Sequence, residues 1–310
     1  MLRLDGLPAE PIGPCAVTIG VFDGLHLGHQ SLIRRTEERA REIGGQSLVL
    51  TFRDHPDLLL RGEAPMPLRS LAQRLDGFEI LGMDVAVVAE FDESLRDMSA
   101  QDFARDILVG KLGCKALILG FDSAICKDRE GTVERFAELG GELGFTAERV
   151  PPQSLDGAIV SSTEIRKAIE AGDMERAHQM FGRPYALRGR VIEGKKRGRI
   201  LGFPTANLVP QKLCLPPFGV YAVQVQIDGQ LDAPRLPGVA NLGLRPTMND
   251  LRTPLLEIHI FDFDGDLYGH ELRCLFVSRI RPERRFASRE ALAHRITHDC
   301  AEARRRLANL

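Results

Sequence analysis

Hydrophobic positions follow two different rhythms along the chain, and the change between them divides it. Up to Gly182, short runs that are apolar on both faces alternate with longer charged segments. The runs are AVTIGVF (16–22), SLVLTF (47–52), VAVVAEF (85–91) and KALILGF (115–121). In the segments between them, HQSLIRRTEERAREIG (29–44), LRSLAQRLDGFEILG (68–82) and SAQDFARDILVGKLG (99–113), apolar residues recur at helical spacing. Strands buried on both faces and joined by helices predict an α/β domain with a parallel sheet, whose ligands lie beyond the carboxyl ends of the strands. After a short helical piece, DMERAHQMFG (173–182), the pattern becomes strand and turn: GRPYALRGRVIEG (182–194), GVYAVQVQIDG (219–229) and PLLEIHIFDFDGDLYGHELRCLFVSRI (254–280). One helical segment, SREALAHRITHDCAEARRRLAN (288–309), follows. This half predicts an antiparallel β-barrel with a closing helix. The boundary falls at Gly182–Arg183, giving domains 1–182 and 183–310.

A length of 310 residues agrees with two cores. A formal charge of −2 supplies no field for gathering nucleic acid or anionic lipid, so neither is an expected partner. The basic runs RRTEERARE and RIRPERRF are interleaved with glutamate or end a strand, as solvated surface does. Six scattered cysteines without a CxxC pair suit reduced thiols rather than a disulfide frame or zinc site. With no apolar signal core and no run of membrane-spanning length, cytoplasm is the expected compartment. Oligomeric state is not fixed by the sequence.

Chemistry concentrates first in GVFDGLHLGHQ (20–30), between a strand and a helix. A glycine turn opening a helix presents backbone N–H groups and the positive end of the helix dipole, which together favour a phosphate. That dipole contributes only about 0.3–1 kcal/mol at an exposed site, so charge developing on a phosphoryl group needs aimed donors as well. His26 and His29, flanking Gly28, are placed to supply them, while Asp23 is expected to fix the turn. Two histidines three apart with no third ligand do not make a metal site. No GxGxxG fingerprint is present, and GRVIEGKK (189–196) lacks the closing hydroxyl of a phosphate-binding loop and lies on a predicted strand. In VSSTEIR (160–166), Ser161 and Glu164 have the spacing of a helix capping box.

These motifs resemble those of the prokaryotic bifunctional riboflavin kinase/FMN adenylyltransferase (FAD synthetase) family. GVFDGLHLGHQ is similar to its GxFDGxHxGH signature, VSSTEIR to ISSTxIR, and TFRDHP (51–56) to TFxPHP. The resemblance implies a nucleotidyltransferase-type sheet in which Gly20, Phe22, His26, Gly28 and His29 embrace ATP phosphates. It adds Ser162, Thr163 and Arg166 as phosphate contacts and leaves Ser161 as a cap. RGRILGFPTANL (197–208), which on composition alone reads as a loop, contains the GxPTAN signature of riboflavin kinases. That implies Thr205 and Asn207 as holders of Mg²⁺ and ATP phosphates, with Gly198 and Gly202 admitting the nucleotide.

PLLEIHIF alternates, so Glu257 lies opposite Leu256, Ile258 and Ile260. A carboxylate held there inside a barrel would serve as general base, the role that the resemblance to the family's LExHxxDFxxDLYG segment implies; without the resemblance a solvent-facing residue is the favoured reading. DFDGDLYGHELR fails as a calcium loop, having Leu267 where glycine is required and Arg273 where the closing glutamate belongs, and its DG is expected to be a hairpin turn. GVANLGLRPT (238–247) matches a family substrate-binding segment, with no role assigned to single residues.

The implied substrates are riboflavin, FMN and ATP. One segment departs: where the family has GxDFRFGxxRxG, this chain reads GFDSAICKDREG (120–131), leaving Asp122 and Ser123 as flavin-site candidates without the aromatic platform. Weak FMN binding is the expectation. A kinase with a weak or re-purposed first domain stays open, as does a flavin or nucleotide carrier without turnover.

Overall fold

The structure is a computed structural model of the chain, and it describes residues 1–194, 202–228, 233–246 and 252–308. It divides into two compact units, 1–162 and 163–310.

The first unit is built on a six-stranded sheet, β1 (Leu2–Asp5), β2 (Cys15–Ile19), β3 (Gln46–Phe52), β4 (Val85–Ala89), β5 (Cys114–Gly120) and β6 (Thr146–Val150). Every pairing is parallel, in the order β1-β4-β3-β2-β5-β6. The core strands β2, β3 and β4 have almost no exposed side chain, as their uninterrupted apolar runs require. One face carries Val17, Leu48, Leu50 and Val87 against Phe103, Phe136 and Leu139, and the other carries Val49 and Ala86 against Ile33 and Phe78. The helices are α1 (Leu27–Glu42), α3 (Leu71–Ile80) and α6 (Val133–Leu143), with short α2 (Asp57–Arg61), α4 (Glu93–Arg96) and α5 (Ala100–Asp102). The segment expected as one helix over 99–113 runs from α5 into π-helical turns at Phe103–Val109. Residues 154–159 form a two-stranded hairpin, β7 (Ser154–Leu155) and β8 (Ala158–Ile159).

Strand order reverses at β2: the chain winds outward through β3 and β4, then β5 returns to the other side of β2. Crevices form where winding reverses, beyond the carboxyl ends of the two flanking strands. GVFDGLHLGHQ leaves β2 at that point, and GFDSAIC leaves β5.

Helix α7 (Ser162–Ala171) starts at the last residue of the first unit and runs into the second, where α8 (Met174–Phe181) follows. A closed barrel follows, of β9 (Tyr185–Ile192), β10 (Ala206–Leu208), β11 (Gly219–Ile227), β12 (Leu236–Pro246), β13 (Arg252–Ile260) and β14 (Glu271–Pro282). Its strand order is β10-β13-β12-β11-β14-β9, all antiparallel. Helix α9 (Arg289–Leu307) packs on the outside, where Ala303 meets Val220, Ala222, Val239 and Phe261. α8 buries Met174, Ala177, Met180 and Phe181, and the Phe181 ring stacks on Tyr185 at 6.0 Å.

Two expectations are corrected. Within the stretch read from composition as a loop, Ala206–Leu208 form β10, pairing with both β13 and β9 to close the barrel. DFDGDLYG is not a hairpin turn: β13 and β14 are not paired with each other, and the chain between Ile260 and Glu271 is a long loop. Each strand finds its partners elsewhere in the barrel, which sequence-local turn chemistry does not encode.

Candidate active sites

In the turn between β2 and α1, Phe22 and Leu25 have positive φ, 53° and 47°. Such backbone costs on the order of 1–3 kcal/mol for a non-glycine residue and persists only where the surroundings impose it. Here both side chains are buried, and Phe22 lies edge-on to Phe78 at 5.5 Å. Asp23 accepts backbone N–H bonds from Leu68 (2.9 Å) and Arg69 (3.4 Å), fastening the turn to the chain before α3. Arg74, on α3 and buried, donates to Val21 O (2.7 Å), Thr51 Oγ1 (2.9 Å) and Phe52 O (2.8 Å). Burial lowers its pKa, but a guanidinium so held remains a cation. No motif pointed to Arg74; only the fold brings it to the ends of β2 and β3.

The two histidines are not equivalent. His26 is the N-cap of α1, and its Nδ1 accepts the His29 backbone N–H at 3.4 Å, so the neutral ring carries its proton on Nε2. The His29 ring stacks on that of His26 at 3.7 Å and meets Phe22 edge-on at 5.1 Å. Its Nδ1 is buried and has no hydrogen-bond partner among the described atoms. Burial first, and the neighbouring His26 second, hold the His29 imidazole well below its usual pKa. It is a neutral N–H donor or acceptor at physiological pH, not a cation. A side chain on Gly28 would place Cβ 3.2 Å from the His26 ring, and one on Gly20 would place it 3.2 Å from Phe22.

His26, Gly28 and His29 form one wall of a cleft of about 280 Å³ at the reversal point, with Gly20 and Phe22 beside them. Ser161 and Ser162 line it too. Thr163 and Arg166 continue α7 in the second unit and are not among its lining residues. Asp122 and Ser123 lie on the wall from β5, and the Ser123 hydroxyl accepts the Gly120 N–H at 3.0 Å. Ile125 pairs with Gly131 and packs with Cys126 against the core. Phe121, 38% exposed, also lines this cleft. It is an aromatic surface that the motif does not announce, because Phe121 falls at the unspecified second position of the GxDFRFGxxRxG pattern.

The second site is on the barrel. Glu257 is exposed, whereas its neighbours Leu256 and Ile258 are fully buried. Its register partners on the flanking strands are Asn207 and Asn241, and side chains in register share a face. Val239 and His259 are likewise paired on that face, which α9 covers near Val239. The expectation of a carboxylate inside the barrel is therefore corrected: the inner positions are taken by the apolar alternates, and Glu257 points outward beside α9. It lines a pocket of about 380 Å³ with Thr205, Asn241, His259, Arg281 and Phe286. Arg284 lies over the Phe286 ring at 4.7 Å, and Arg281 is held by buried Asp299 at 2.7 Å.

Thr205 also lines a neighbouring cleft of about 370 Å³, whose opposite wall is the loop Phe263–Tyr268. Asn207 Nδ2 reaches the Thr205 carbonyl at 3.4 Å. A side chain on Gly194 would put Cβ 2.3 Å from that Nδ2, so glycine there makes room for the amide. Gly202 has φ 84° with open space around it; Gly198 lies outside the described residues. Asn241 was missed because a lone Asn in a strand carries no signal until the register puts it opposite Glu257.

The family model for FAD synthetase matches residues 9–164, and that for riboflavin kinase matches residues 181–307. A Bifunctional riboflavin kinase/FMN adenylyltransferase of Pseudomonas fluorescens is 41% identical over 94% of this chain and 92% of its own length. Its Escherichia coli K12 counterpart is 36% identical over 97% and 95%. A crystal structure from Streptococcus pneumoniae, described as a macrolide-efflux protein, has a TM-score of 0.86 at 28% identity, covering 96% of this chain and 97% of that one. Among the described residues, no helix is long and apolar enough to cross a membrane. Two family models in tandem and relatives matched nearly end to end place the chain plainly: it belongs to the bifunctional riboflavin kinase/FMN adenylyltransferase family.

Proposed function

We propose that this protein makes FAD in two ATP-dependent steps, phosphorylating riboflavin to FMN and ADP on the barrel, then joining FMN to AMP in the α/β unit with release of pyrophosphate. The observation that carries this reading is the presence of two separate polar clusters, each of which we read as a phosphate-handling site. One is the His26–His29 pair heading α1, and the other is Thr205 beside Glu257. It acts in the cytoplasm.

In the kinase step, Glu257 takes the proton from the terminal ribityl hydroxyl as that oxygen attacks the γ-phosphorus of ATP. Riboflavin occupies the pocket of Glu257, and the nucleotide the cleft walled by Phe263–Tyr268. Thr205, common to both, marks where the reacting groups meet. The Thr205 hydroxyl and Asn207 amide oxygen are hard, neutral donors that suit a divalent metal shared with phosphates, for which we propose Mg²⁺. When bound, it neutralises charge on the phosphates.

In the adenylyl step, the FMN phosphate attacks the α-phosphorus of ATP. Nε2–H of His26, the His29 ring and the N–H groups opening α1 stabilise the charge that develops there. Phe121, Asp122 and Ser123 face the flavin. Isotope labelling tests both steps: label from γ-³²P-ATP is expected in FMN, and label from α-³²P-ATP in FAD only. Label from neither in a flavin would overturn the reading.

Phe121 is taken to replace the missing platform. Phe121→Ala is expected to raise KM for FMN about fivefold with KM for ATP unchanged, since an aromatic contact contributes about 0.5–1.5 kcal/mol beyond its area. Steady-state kinetics with FMN varied at saturating ATP measure this, and an unchanged KM would contradict it.

We assign kinase activity to residues 183–310, with α7 and α8 as a structural brace. A fragment 163–310 should fold and phosphorylate riboflavin. A fragment 183–310 is expected to retain turnover with a lower Tm, because the surface that receives Phe181 and Met180 loses its cover. Calorimetry and kinase assays on both fragments check this.

A further inference from the structure

We propose that His259 is a positioning residue for the kinase step, the tie that holds the Thr205 loop in register with Glu257. The β10–β13 ladder ends at Ala206 opposite Ile258, so no ladder bond fixes the chain before Ala206. The His259 side chain carries the connection one step further: its Nδ1 lies 2.8 Å from the carbonyl oxygen of Pro204, fifty-five residues away in sequence. A carbonyl only accepts, so Nδ1 is the protonated nitrogen and donates. The ring is held on two sides, edge-on to Phe203 at 5.7 Å and to Phe261 at 5.7 Å. Phe203 and Pro204 immediately precede Thr205, and His259 stands two residues beyond Glu257 on the same face of the same strand. One strand thereby fixes both the base and the loop that holds the phosphates. Without the tie, the loop samples positions in which Thr205 is withdrawn from the nucleotide, and affinity falls by the fraction of time it is so.

This inference rests on the reading of Thr205 as a nucleotide-site residue, and its test separates the two. His259→Leu, His259→Asn and Thr205→Ala are made in the full chain, and KM for MgATP and riboflavin, and kcat, are measured for the kinase step. An asparagine amide nitrogen occupies nearly the place of the imidazole Nδ1, so it restores the donor without the ring. His259→Leu is expected to raise KM for MgATP about tenfold, the loss of one net hydrogen bond, while His259→Asn recovers most of it. FMN adenylylation at the other unit is expected to be unchanged in each variant, and the melting transition of the barrel, followed by calorimetry, serves as the folding control. If Thr205→Ala raises KM for MgATP but His259→Leu does not, or if Asn performs no better than Leu, the positioning role is wrong. If Thr205→Ala itself leaves KM for MgATP unchanged, the underlying assignment of the site falls and this inference with it.

Discussion

Glu257→Gln is expected to abolish conversion of riboflavin to FMN while leaving FAD formation from supplied FMN intact. The substitution preserves shape and one acceptor oxygen but removes what the proposed step needs, a carboxylate able to take a proton. A positioned base contributes about 10²–10⁴-fold, and the kinase rate should fall by that factor. Riboflavin binding should change little, because the pocket wall of Asn241, Arg281 and Phe286 is untouched. The loss thus appears in kcat rather than KM. Glu257 is exposed and lies outside both hydrophobic cores, so the melting temperature should be that of the native chain. Flavin separation after incubation with riboflavin and ATP, and separately with FMN and ATP, reads both activities. Full kinase turnover in the variant would remove Glu257 from the role of base.

His29→Ala should lower adenylyl transfer by about 10²–10³-fold, the usual cost of deleting one transition-state donor, with kinase activity near that of the native chain. The neutral state of His29 adds a second readout. Its pKa is depressed in the folded chain, so below the ordinary imidazole value of about 6.5 the unfolded chain binds the extra proton first. The stability His29 contributes is therefore present above that pH and lost as the pH falls below it. Replacement by a neutral ring of similar size, His29→Phe, should flatten this acid-side loss in the Tm-versus-pH curve while keeping adenylyl transfer low. Equal loss of both enzymatic activities would mark His29 as structural.

The layered core was legible because β2, β3 and β4 are buried on both faces, which leaves a run of apolar residues no other reading can place. The edges were not. β1 is a short edge strand, largely exposed, whose LRLD carries no two-sided apolar run. β10 is a strand only because β9 and β13 stand on either side of it. The long apolar segment before β5 was visible as helical, but its shift into π-helical turns was not, since the two helices share nearly the same spacing of buried positions.

In the sites, the histidine turn was readable as a glycine-rich turn carrying two histidines between a strand and a helix, and PTAN only through its resemblance to the riboflavin kinase signature. What the sequence leaves unspoken is register and face. Asn241 gains meaning only opposite Glu257, and Glu257 itself sits on the outer rather than the inner surface. Alternation shows that two faces exist, and only the placement of α9 shows which one is outside. Arg74 is a similar case: four oxygens from two segments, Val21 and Thr51–Arg53, surround a charged residue on α3 that no motif singles out.

Two consecutive transfers on one chain should be visible in a single time course. Purified full-length protein is incubated with riboflavin, ATP and Mg²⁺, and the flavins are separated chromatographically at intervals. Riboflavin should fall, FMN rise first, and FAD follow with a lag at the expense of FMN. FMN accumulating with no FAD at any time, even when FMN is supplied in excess, would contradict this, as would riboflavin remaining unchanged.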